Sequence, residues 1–190
     1  MNGYSISDMM KHFIFLLYTK LVWKKARIVR LPVLARNRRN ITYEKGFSCG
    51  VGCRFNPGQN GKLIIGQNLV MGDYCQIEAM SSVKVGNNVL MASRVYIGDA
   101  SHGEYKGEFQ VSPNIPPNNR NIVALPIVIG DNVWIGNAVT ILGGVKIGDG
   151  SIIGANAVVT KDVPKNSIAV GNLAKVIKIY NNESRKWEYD

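Results

Sequence analysis

A six-residue repeat constrains the fold of this chain more than any other feature. Reading in sixes from Ile65 gives IGQNLV, MGDYCQ and IEAMSS, and the frame resumes at Val85 with VGNNVL, MASRVY and IGDASH. It returns at Ile129 with IGDNVW, IGNAVT, ILGGVK, IGDGSI, IGANAV and VTKDVP. Every one of these hexads begins with Ile, Val or Met, and most have a small residue second. Self-similarity at a short fixed period predicts a solenoid.

The period of six indicates which kind of solenoid. It matches neither the 3.6-residue helix nor the two-residue alternation of a plain strand. It fits a short strand followed by a turn, with one aliphatic side chain directed inward in each hexad. Three hexads make an 18-residue coil, and coils stack at the ordinary strand separation of about 4.8 Å. We therefore predict an all-β parallel β-helix with aliphatic columns inside and small residues at its corners.

Two segments interrupt or precede the repeat. Residues 103–126 hold four prolines and several asparagines, which predicts a long loop leaving one coil. Such loops are usually functional or disordered. Residues from Met9 to Arg30 are expected to be helical in part. We expect a basic, partly helical arm at 1–45, a β-helix domain at 46–180 and a polar tail at 181–190.

The net charge of +10 belongs mainly to the arm. Between Lys11 and Lys45 there is one acid, Glu44, and there are ten basic residues, namely Lys11, Lys20, Lys24, Lys25, Arg27, Arg30, Arg36, Arg38, Arg39 and Lys45. With neighbouring apolar residues such as Phe13 and Trp23, this suits peripheral contact with an anionic membrane. A helix packed on the base of the prism with a solvated basic face fits equally well. Nucleic acid is disfavoured because aromatic and basic residues do not alternate regularly in the arm.

The sequence predicts a cytoplasmic protein, with attachment to the inner face of the cell membrane left open. Its best apolar run, Phe13 to Tyr18, falls short of the about 20 residues that span a bilayer. Asp8 precedes that run, which is unlike a signal peptide. The three cysteines, Cys49, Cys53 and Cys75, form no CxxC pair. We expect them to be free thiols rather than disulfides or zinc ligands.

The chain has two histidines, and one of them is a candidate general base. His12 lies in the arm and is expected to be an ordinary surface residue. His102 ends the last hexad before the long loop, where a corner suits a side chain exposed in a cleft. Neutral imidazole can take a proton from an attacking hydroxyl. Asp99, Glu104 and Glu108 could orient the ring, but we expect each to be a solvated surface acid.

Further candidates lie in the late coils. Asn137 and Ala155 are both third in their hexads and 18 residues apart, which predicts that they stack on one face. Backbone N–H groups there could line a ligand or hold an oxyanion, or they could be ordinary turn geometry. Trp134 occupies an outward position, where it is expected to cover a ligand or a neighbouring subunit. Basic and hydroxyl groups that could pair with phosphates, or form a solvated rim, are Thr160, Lys161, Lys175 and Lys178.

Over residues 47–180 these motifs resemble the hexapeptide-repeat acyltransferases. The segment VIGDNVWIGNAVTILGGVKIGDGSIIGANAVVTKDVP, followed by AVGNLAKVIK, is similar to galactoside and maltose O-acetyltransferases. The arm, the turn DASHG and the loop SPNIPPNNR are more similar to bacterial O-antigen or capsule polysaccharide O-acetyltransferases. The resemblance implies left-handed winding, acetyl-CoA as acyl donor, no metal, and a homotrimer with each CoA site between two prisms.

The resemblance also implies roles for individual residues. His102 takes the position of the family's catalytic base, and the backbone N–H of Asn137 that of the group facing the thioester carbonyl. Ala155 falls beside the pantetheine arm, and Thr160 and Lys161 match the pair that contacts CoA.

Lys175 and Lys178 fall where the family usually has arginine for the CoA phosphates, which keeps the charge and loses the bidentate fork. Trp134 matches the aromatic residue beside the active cleft. The acceptor-contacting asparagine of galactoside enzymes aligns with Gly72, so we assign acceptor contact to the adjacent Asp73 and doubt a galactoside-like acceptor.

Together these observations predict an acetyl-CoA-dependent O-acetyltransferase acting on a sugar hydroxyl of a bacterial surface polysaccharide, such as lipopolysaccharide, or its precursor. Two alternatives stay open: an N-acyltransferase acting on a nucleotide-linked amino sugar, and a non-enzymatic β-helix binding module. A zinc hydratase of the carbonic anhydrase type is disfavoured because it needs three imidazole ligands, and this chain has one suitable histidine, His102.

Overall fold

The computed structural model describes residues 5–190, which form one α-helix, α1 (Ile6–Val22), followed by short strands wound into seven coils. Three parallel sheets form a prism, and we name them faces A, B and C. Face A contains β1 (Ile28–Val29), β4 (Ser48–Cys49), β7 (Val70–Met71), β10 (Leu90–Met91), β15 (Trp134–Ile135), β18 (Ile152–Ile153) and β20 (Ser167–Val170). Face B contains β2 (Leu34–Ala35), β5 (Arg54–Pro57), β8 (Gln76–Ala79), β11 (Tyr96–Gly98), β16 (Thr140–Leu142) and β19 (Val158–Val159). Face C contains β3 (Ile41–Tyr43), β6 (Lys62–Ile65), β9 (Ser82–Val85), β14 (Ile127–Ile129) and β17 (Lys146–Ile147).

Two antiparallel additions complete the chain. The ribbon of β12 (Ala100–His102) and β13 (Ile122–Ala124) leaves the prism between faces B and C. At the other end, β21 (Lys175–Asn181) and β22 (Lys186–Tyr189) extend face A. Short 3-10 helices lie at Arg38–Asn40 and Pro117–Asn119.

The predicted parallel β-helix is confirmed, and the repeat explains its core. Strands pair with their equivalents one coil away, as Ile135 does with Ile153. The first and fifth residues of the hexads face inward, so that Ile129 and Val133 are both about 1% exposed. The three cysteines are buried in the same core as free thiols. The left-handed winding stays a prediction that rests on the family resemblance.

Asparagines make the corner between faces C and A. Asn68, Asn88 and Asn132 have φ of 58°, 55° and 57°, a left-handed conformation that asparagine tolerates better than most residues. Their side chains also connect successive coils: the Asn68 amide donates to Asn88 at 3.0 Å and the Asn88 amide to Asn132 at 3.3 Å. The frequent Gly-Asn and Asn-Asn pairs of the sequence are therefore corner residues.

The structure differs from the predicted boundaries at both ends. The helix stops at Val22 instead of continuing to Arg30, and residues 28–43 form the first coil instead of a separate arm. The parallel pairing of β1 with β4 buries Ile28 and Val29, although no hexad frame is visible there. The tail at 181–190 contains β22, and the loop at 103–126 contains β13. Within residues 5–190, no helix has the length and hydropathy needed to cross a membrane.

An aromatic cluster fills the first coils beside α1. Trp23 packs against Tyr43, Phe47 and Phe55 with ring centroids 5.3, 5.9 and 5.8 Å apart. The helix is fixed to this end by Thr19, whose hydroxyl accepts the N–H of Val29 at 2.8 Å. Large rings at these positions replace the aliphatic columns of the later coils.

We predict that Phe55→Ala lowers the free energy of unfolding by about 3–5 kcal/mol, because it leaves a cavity among buried rings. Urea denaturation measures this change. Phe109→Ala, at a side chain that is 83% exposed, is the control and should change the free energy by less than about 0.5 kcal/mol. Equal effects of the two substitutions would contradict this packing.

Candidate functional site

A buried carboxylate anchors the ribbon that carries His102. The Asp99 side chain accepts the N–H groups of Met80, Ser81 and Ser82 at 2.7, 2.8 and 2.9 Å, and Asp99 is 1% exposed. Its own carbonyl accepts the N–H of Leu125 at 2.7 Å. The expectation that Asp99 is a solvated surface acid is therefore wrong, since its side chain is buried and caps three N–H groups of the adjacent corner.

His102 is exposed at the end of β12, and a backbone carbonyl orients its ring. Nδ1 lies 3.2 Å from the carbonyl oxygen of Pro117. Because a carbonyl can only accept, this hydrogen bond assigns the proton to Nδ1 and leaves the lone pair on Nε2. Glu104 instead accepts the N–H groups of Tyr105 and Lys106. Neither it nor Asp99 is the hydrogen-bond partner of the ring.

Arg120 ties the loop together around His102. Its guanidinium donates to the Tyr105 hydroxyl at 2.7 Å, to the Ile115 carbonyl at 2.8 Å and to the Pro113 carbonyl at 3.3 Å. The Tyr105 hydroxyl in turn donates to the carbonyl of His102. The sequence analysis missed both residues; the one signal for Arg120 was a single arginine near the end of a proline-rich loop.

A ladder of side chains links the corners between faces A and B. Asp73 Oδ1 accepts the N–H of Val51 at 2.9 Å, and Ser93 Oγ accepts the N–H of Asp73 at 3.1 Å. Asn137 Oδ1 then accepts the N–H of Ser93 at 2.9 Å. Each residue thus caps the equivalent residue of the preceding coil.

The ladder stops at Asn137, because Ala155 in the next coil has no side-chain acceptor. The two residues stack as their spacing predicts: the N–H of Asn156 donates to the Asn137 carbonyl at 2.8 Å. Within residues 5–190, the N–H groups of Asn137 and Ala155 meet no acceptor.

The corner between faces C and A has an equivalent ladder, in which Asp131 Oδ1 accepts the N–H of Asn87 at 2.7 Å and Asp149 Oδ1 accepts the N–H of Asp131 at 2.8 Å. It ends in the same way, because Lys165 follows Asp149 in the next coil and has no side-chain acceptor. A backbone N–H without a side-chain cap therefore occurs at two corners of the late coils and is not unique to Asn137.

The remaining predicted residues surround these corners. Trp134 is 51% exposed on face A, between Leu90 and Ile152 of the adjoining strands. Thr160 and Lys161 are exposed at the corner between faces B and C.

The two predicted phosphate contacts lie on β21, the antiparallel extension of face A. Lys175 is exposed at the start of this strand, whereas Lys178 is half-buried with Nζ 4.4 Å from the ring centroid of Tyr189. A cation–π contact thus already engages Lys178, so Lys175 is the freer of the two cations.

The candidate residues fall into two groups at different corners. His102, Thr160 and Lys161 belong to the corner between faces B and C. The corner between faces A and B and the adjoining face A carry Asp73, Trp134, Asn137, Ala155, Lys175 and Lys178. Face B separates the corners by five residues, 138–142 in the fifth coil, or roughly 15 Å of extended strand.

A polar cluster that the sequence analysis missed lies on face B between the two groups. The Tyr96 hydroxyl donates to Glu78 at 2.9 Å, and the Gln76 amide donates to the other oxygen of Glu78 at 2.7 Å. Burial and, next, the hydrogen bond to Glu78 raise the pKa of Tyr96 to about 12. Tyr96 is therefore a neutral hydrogen-bond donor over the whole physiological range.

Comparisons with known proteins point to one family. Residues 126–161 match the family model described as bacterial transferase hexapeptide (six repeats). A protein of Escherichia coli strain K12 named as a lipopolysaccharide biosynthesis O-acetyl transferase, WbbJ, is 39% identical over 173 residues, which are 90% of this chain and 88% of that protein.

Solved structures share the fold. A galactoside acetyltransferase in complex with coenzyme A superimposes with a TM-score of 0.59 at 27% identity, covering 100% of this chain and 80% of that chain. AntD, an N-acyltransferase from Bacillus cereus in complex with dTDP and 3-hydroxybutyryl-CoA, gives 0.63 at 20% identity, covering 97% and 93%. At that identity the second likeness concerns the fold alone.

We predict that the neutral His102 ring carries its proton on Nδ1, and that Arg120→Ala weakens this preference by releasing the loop that presents the Pro117 carbonyl. Nitrogen chemical shifts of the two ring nitrogens measure the tautomer. His12, which lies on α1 outside this loop, is the internal control. A dominant Nε2–H tautomer of His102 in the native protein would contradict the geometry.

Proposed function

We propose that this chain, which belongs to the bacterial hexapeptide transferases, moves an acetyl group from acetyl-CoA to a hydroxyl of a sugar in a surface polysaccharide or its precursor. Family membership makes the chain an acyltransferase. The choice of donor and acceptor is supported by WbbJ, which this chain matches over nearly its whole length, and by the coenzyme A complex of the galactoside enzyme. The cytoplasmic location expected from the sequence stays a prediction.

His102 is the proposed general base. A sugar hydroxyl is a poor nucleophile until its proton is removed, and a positioned base contributes typically 10²–10⁴-fold to such a step. The contact of Nδ1 with Pro117 supports this role, because it leaves Nε2 free on an exposed ring. In the proposed reaction Nε2 takes the proton as the oxygen attacks the thioester carbon. The tetrahedral intermediate then collapses, the C–S bond breaks, and the proton passes to the leaving thiolate of CoA.

The free N–H of Asn137 is the proposed donor to the developing oxyanion. A preorganised backbone donor of this kind is typically worth 10²–10³-fold in rate. The interrupted ladder supports the assignment, since the N–H groups of Asn137 and Ala155 are stacked and uncapped. Because the corner with Asp149 has the same gap, the choice of Asn137 rests on the family resemblance. Ala155, with the smallest side chain available to a corner, leaves room for the pantetheine arm.

The residues that we assign to CoA binding are chosen by their exposure and charge. We assign Thr160 and Lys161 to CoA, and Lys175 to its phosphates, because these side chains are exposed at the late coils. Lys178 would have to leave the ring of Tyr189 to reach a phosphate.

On the acceptor side, Trp134 offers an exposed ring to a sugar. Asp73 uses one carboxylate oxygen for Val51, and the second is free to accept a sugar hydroxyl. These two residues are our assignment for acceptor binding.

The split between two corners supports a homotrimer with shared sites. One prism holds the base on one side of face B and the oxyanion donor on the other. Two copies packed side by side bring the His102 corner of one against the Asn137 corner of the next, and a closed ring of three makes three equal sites. The deep, apolar interior of the prism offers no alternative, since its columns are filled with aliphatic side chains.

N-acyl transfer to an amino sugar is the alternative within the family, and a non-enzymatic binding module is the alternative outside it. The likeness to AntD concerns the fold and does not favour an amine acceptor. Incubating the protein with acetyl-CoA and a panel of sugar nucleotides, oligosaccharides and lipid-linked sugars separates the three, with CoA thiol release as the readout. Release that requires a hydroxyl acceptor supports the proposal. Release only with amino sugars, or only with water, would overturn it.

We predict that His102→Ala lowers kcat for O-acetyl transfer by about 10²–10⁴-fold with little change in KM for acetyl-CoA, because the ring acts on the acceptor. Thiol release under saturating acceptor measures this. His12→Ala, which removes the other histidine, should retain full activity. Equal activity of the two variants would rule out His102 as the base.

We also predict that Ala155→Asn lowers kcat by about 10²-fold, because the new amide oxygen would cap the N–H of Asn137 as Asn137 itself caps Ser93. Lys165→Asn is the matched control, since it would cap Asp149 at the other corner and should leave kcat unchanged. Both variants should be at least as stable as the native protein in thermal unfolding. Full activity of Ala155→Asn would show that the Asn137 N–H does not act in the reaction.

A further inference from the structure

We infer that α1 and the basic first coil form a docking surface for an anionic lipid bilayer. The surface combines a bare apolar stripe on the helix with a cluster of cations around the base of the prism. It lies outside the proposed catalytic residues, and the inference holds whether or not the chain transfers an acyl group.

The helix has two apolar sides, and the prism uses only one of them. Tyr18, Thr19 and Val22 pack against the core, with Phe15 half-buried beside them. The other side is a stripe of exposed residues at spacings of three and four, namely Ile6, Met10, Phe13, Ile14, Leu17 and Leu21. Residues three and four apart share one face of a helix, so the stripe is continuous.

The exposure of this stripe is large for side chains of this size. Ile6, Phe13 and Leu21 are 79%, 67% and 68% exposed. The stripe extends over 16 residues, or about 22 Å of helix between its first and last Cα atoms. A continuous exposed apolar strip of this kind marks a contact surface, and a helix that lies in the plane of a bilayer buries such a strip among the acyl chains.

The basic residues of the helix and of the coil that follows it identify the partner. Within residues 5–190, the salt bridges of the basic segment are Lys11 with Asp8 at 3.7 Å and Lys25 with Glu44 at 3.8 Å. The other basic residues of the segment form no salt bridge within residues 5–190. They are, in chain order, Lys20, Lys24, Arg27, Arg30, Arg36, Arg38, Arg39 and Lys45. Apart from the half-buried Arg30, all are exposed.

This charge favours a lipid surface over a second copy of the chain. Two such basic surfaces facing each other would place like charges together, which costs binding energy. An anionic bilayer instead attracts these cations. Every one to two of them raise the partition coefficient for the bilayer by about tenfold. The apolar stripe and the charge therefore fit the same partner.

The test uses the full chain with vesicles of phosphatidylcholine alone and with about 30% phosphatidylglycerol added. We expect binding to the second kind in flotation, and a loss of binding as salt rises. F13Q combined with L17Q should lower the partition coefficient by about tenfold or more. The matched control, F109Q with I64Q, removes exposed apolar side chains elsewhere and should not change it.

A second pair of variants isolates the charge. Arg36→Gln, Arg39→Gln and Lys45→Gln together should lower the partition coefficient by about 100-fold. Lys62→Gln, Lys84→Gln and Lys146→Gln remove the same charge from face C and should have a small effect. All these side chains are exposed, so the variants are expected to fold, which circular dichroism checks.

Three outcomes would overturn the inference. One is the absence of binding to the anionic vesicles. Another is binding that neither set of arm variants reduces relative to its control. The third is a lower subunit number for F13Q/L17Q in light scattering without a change in vesicle binding, which would show that a second copy covers the stripe.

Discussion

The vertical register between coils is the constraint on which the rest of this structure depends. Each strand pairs in parallel with its equivalent one coil away, so residues one repeat apart stack in columns. Aliphatic side chains fill the inner columns, and the corner columns hold asparagine, aspartate and glycine. A corner side chain can therefore reach the backbone of the preceding coil, as Asn137 reaches Ser93. The same register leaves an N–H uncapped wherever the next corner residue lacks an acceptor, as at Ala155.

This register also explains why the site needs a ribbon outside the prism. Positions along the columns are fixed, and an inward residue is enclosed by its neighbours. The ring that we propose as the base therefore needs a different support, and β12 and β13 provide it by leaving the corner between faces B and C. Asp99 anchors this ribbon, and Arg120, Tyr105 and the Pro117 carbonyl hold the imidazole at its end. The rigid prism and the bonded loop together hold the proposed base, and within residues 5–190 its ring has a backbone carbonyl rather than a carboxylate as hydrogen-bond partner.

Much of this could be predicted from the sequence, and the exceptions have physical reasons. The hexads from Ile65 onward specify coils because one aliphatic per unit is enough to define the inner columns. The first coil escaped prediction because aromatic rings such as Trp23 and Phe55 fill that end, and residues 28–43 have no six-residue frame. His102 was identifiable because the chain has only two histidines and because this one directly precedes the loop. Pro117 and Arg120 were not, since their roles depend on how the loop folds back, which no local pattern specifies. Asp99 was misjudged because burial at a corner cannot be recognised from its neighbours in the chain.

The central claim is that the base and the oxyanion donor act together only between two copies. Mixing chains that carry His102→Ala with chains that carry Ala155→Asn tests it most directly, after co-expression with different tags and purification of the mixed trimers and their parents. The purified mixed trimers should regain about a third of the native activity, because each of them restores one of its three sites. Activity no higher than that of the two separate variants would contradict the account.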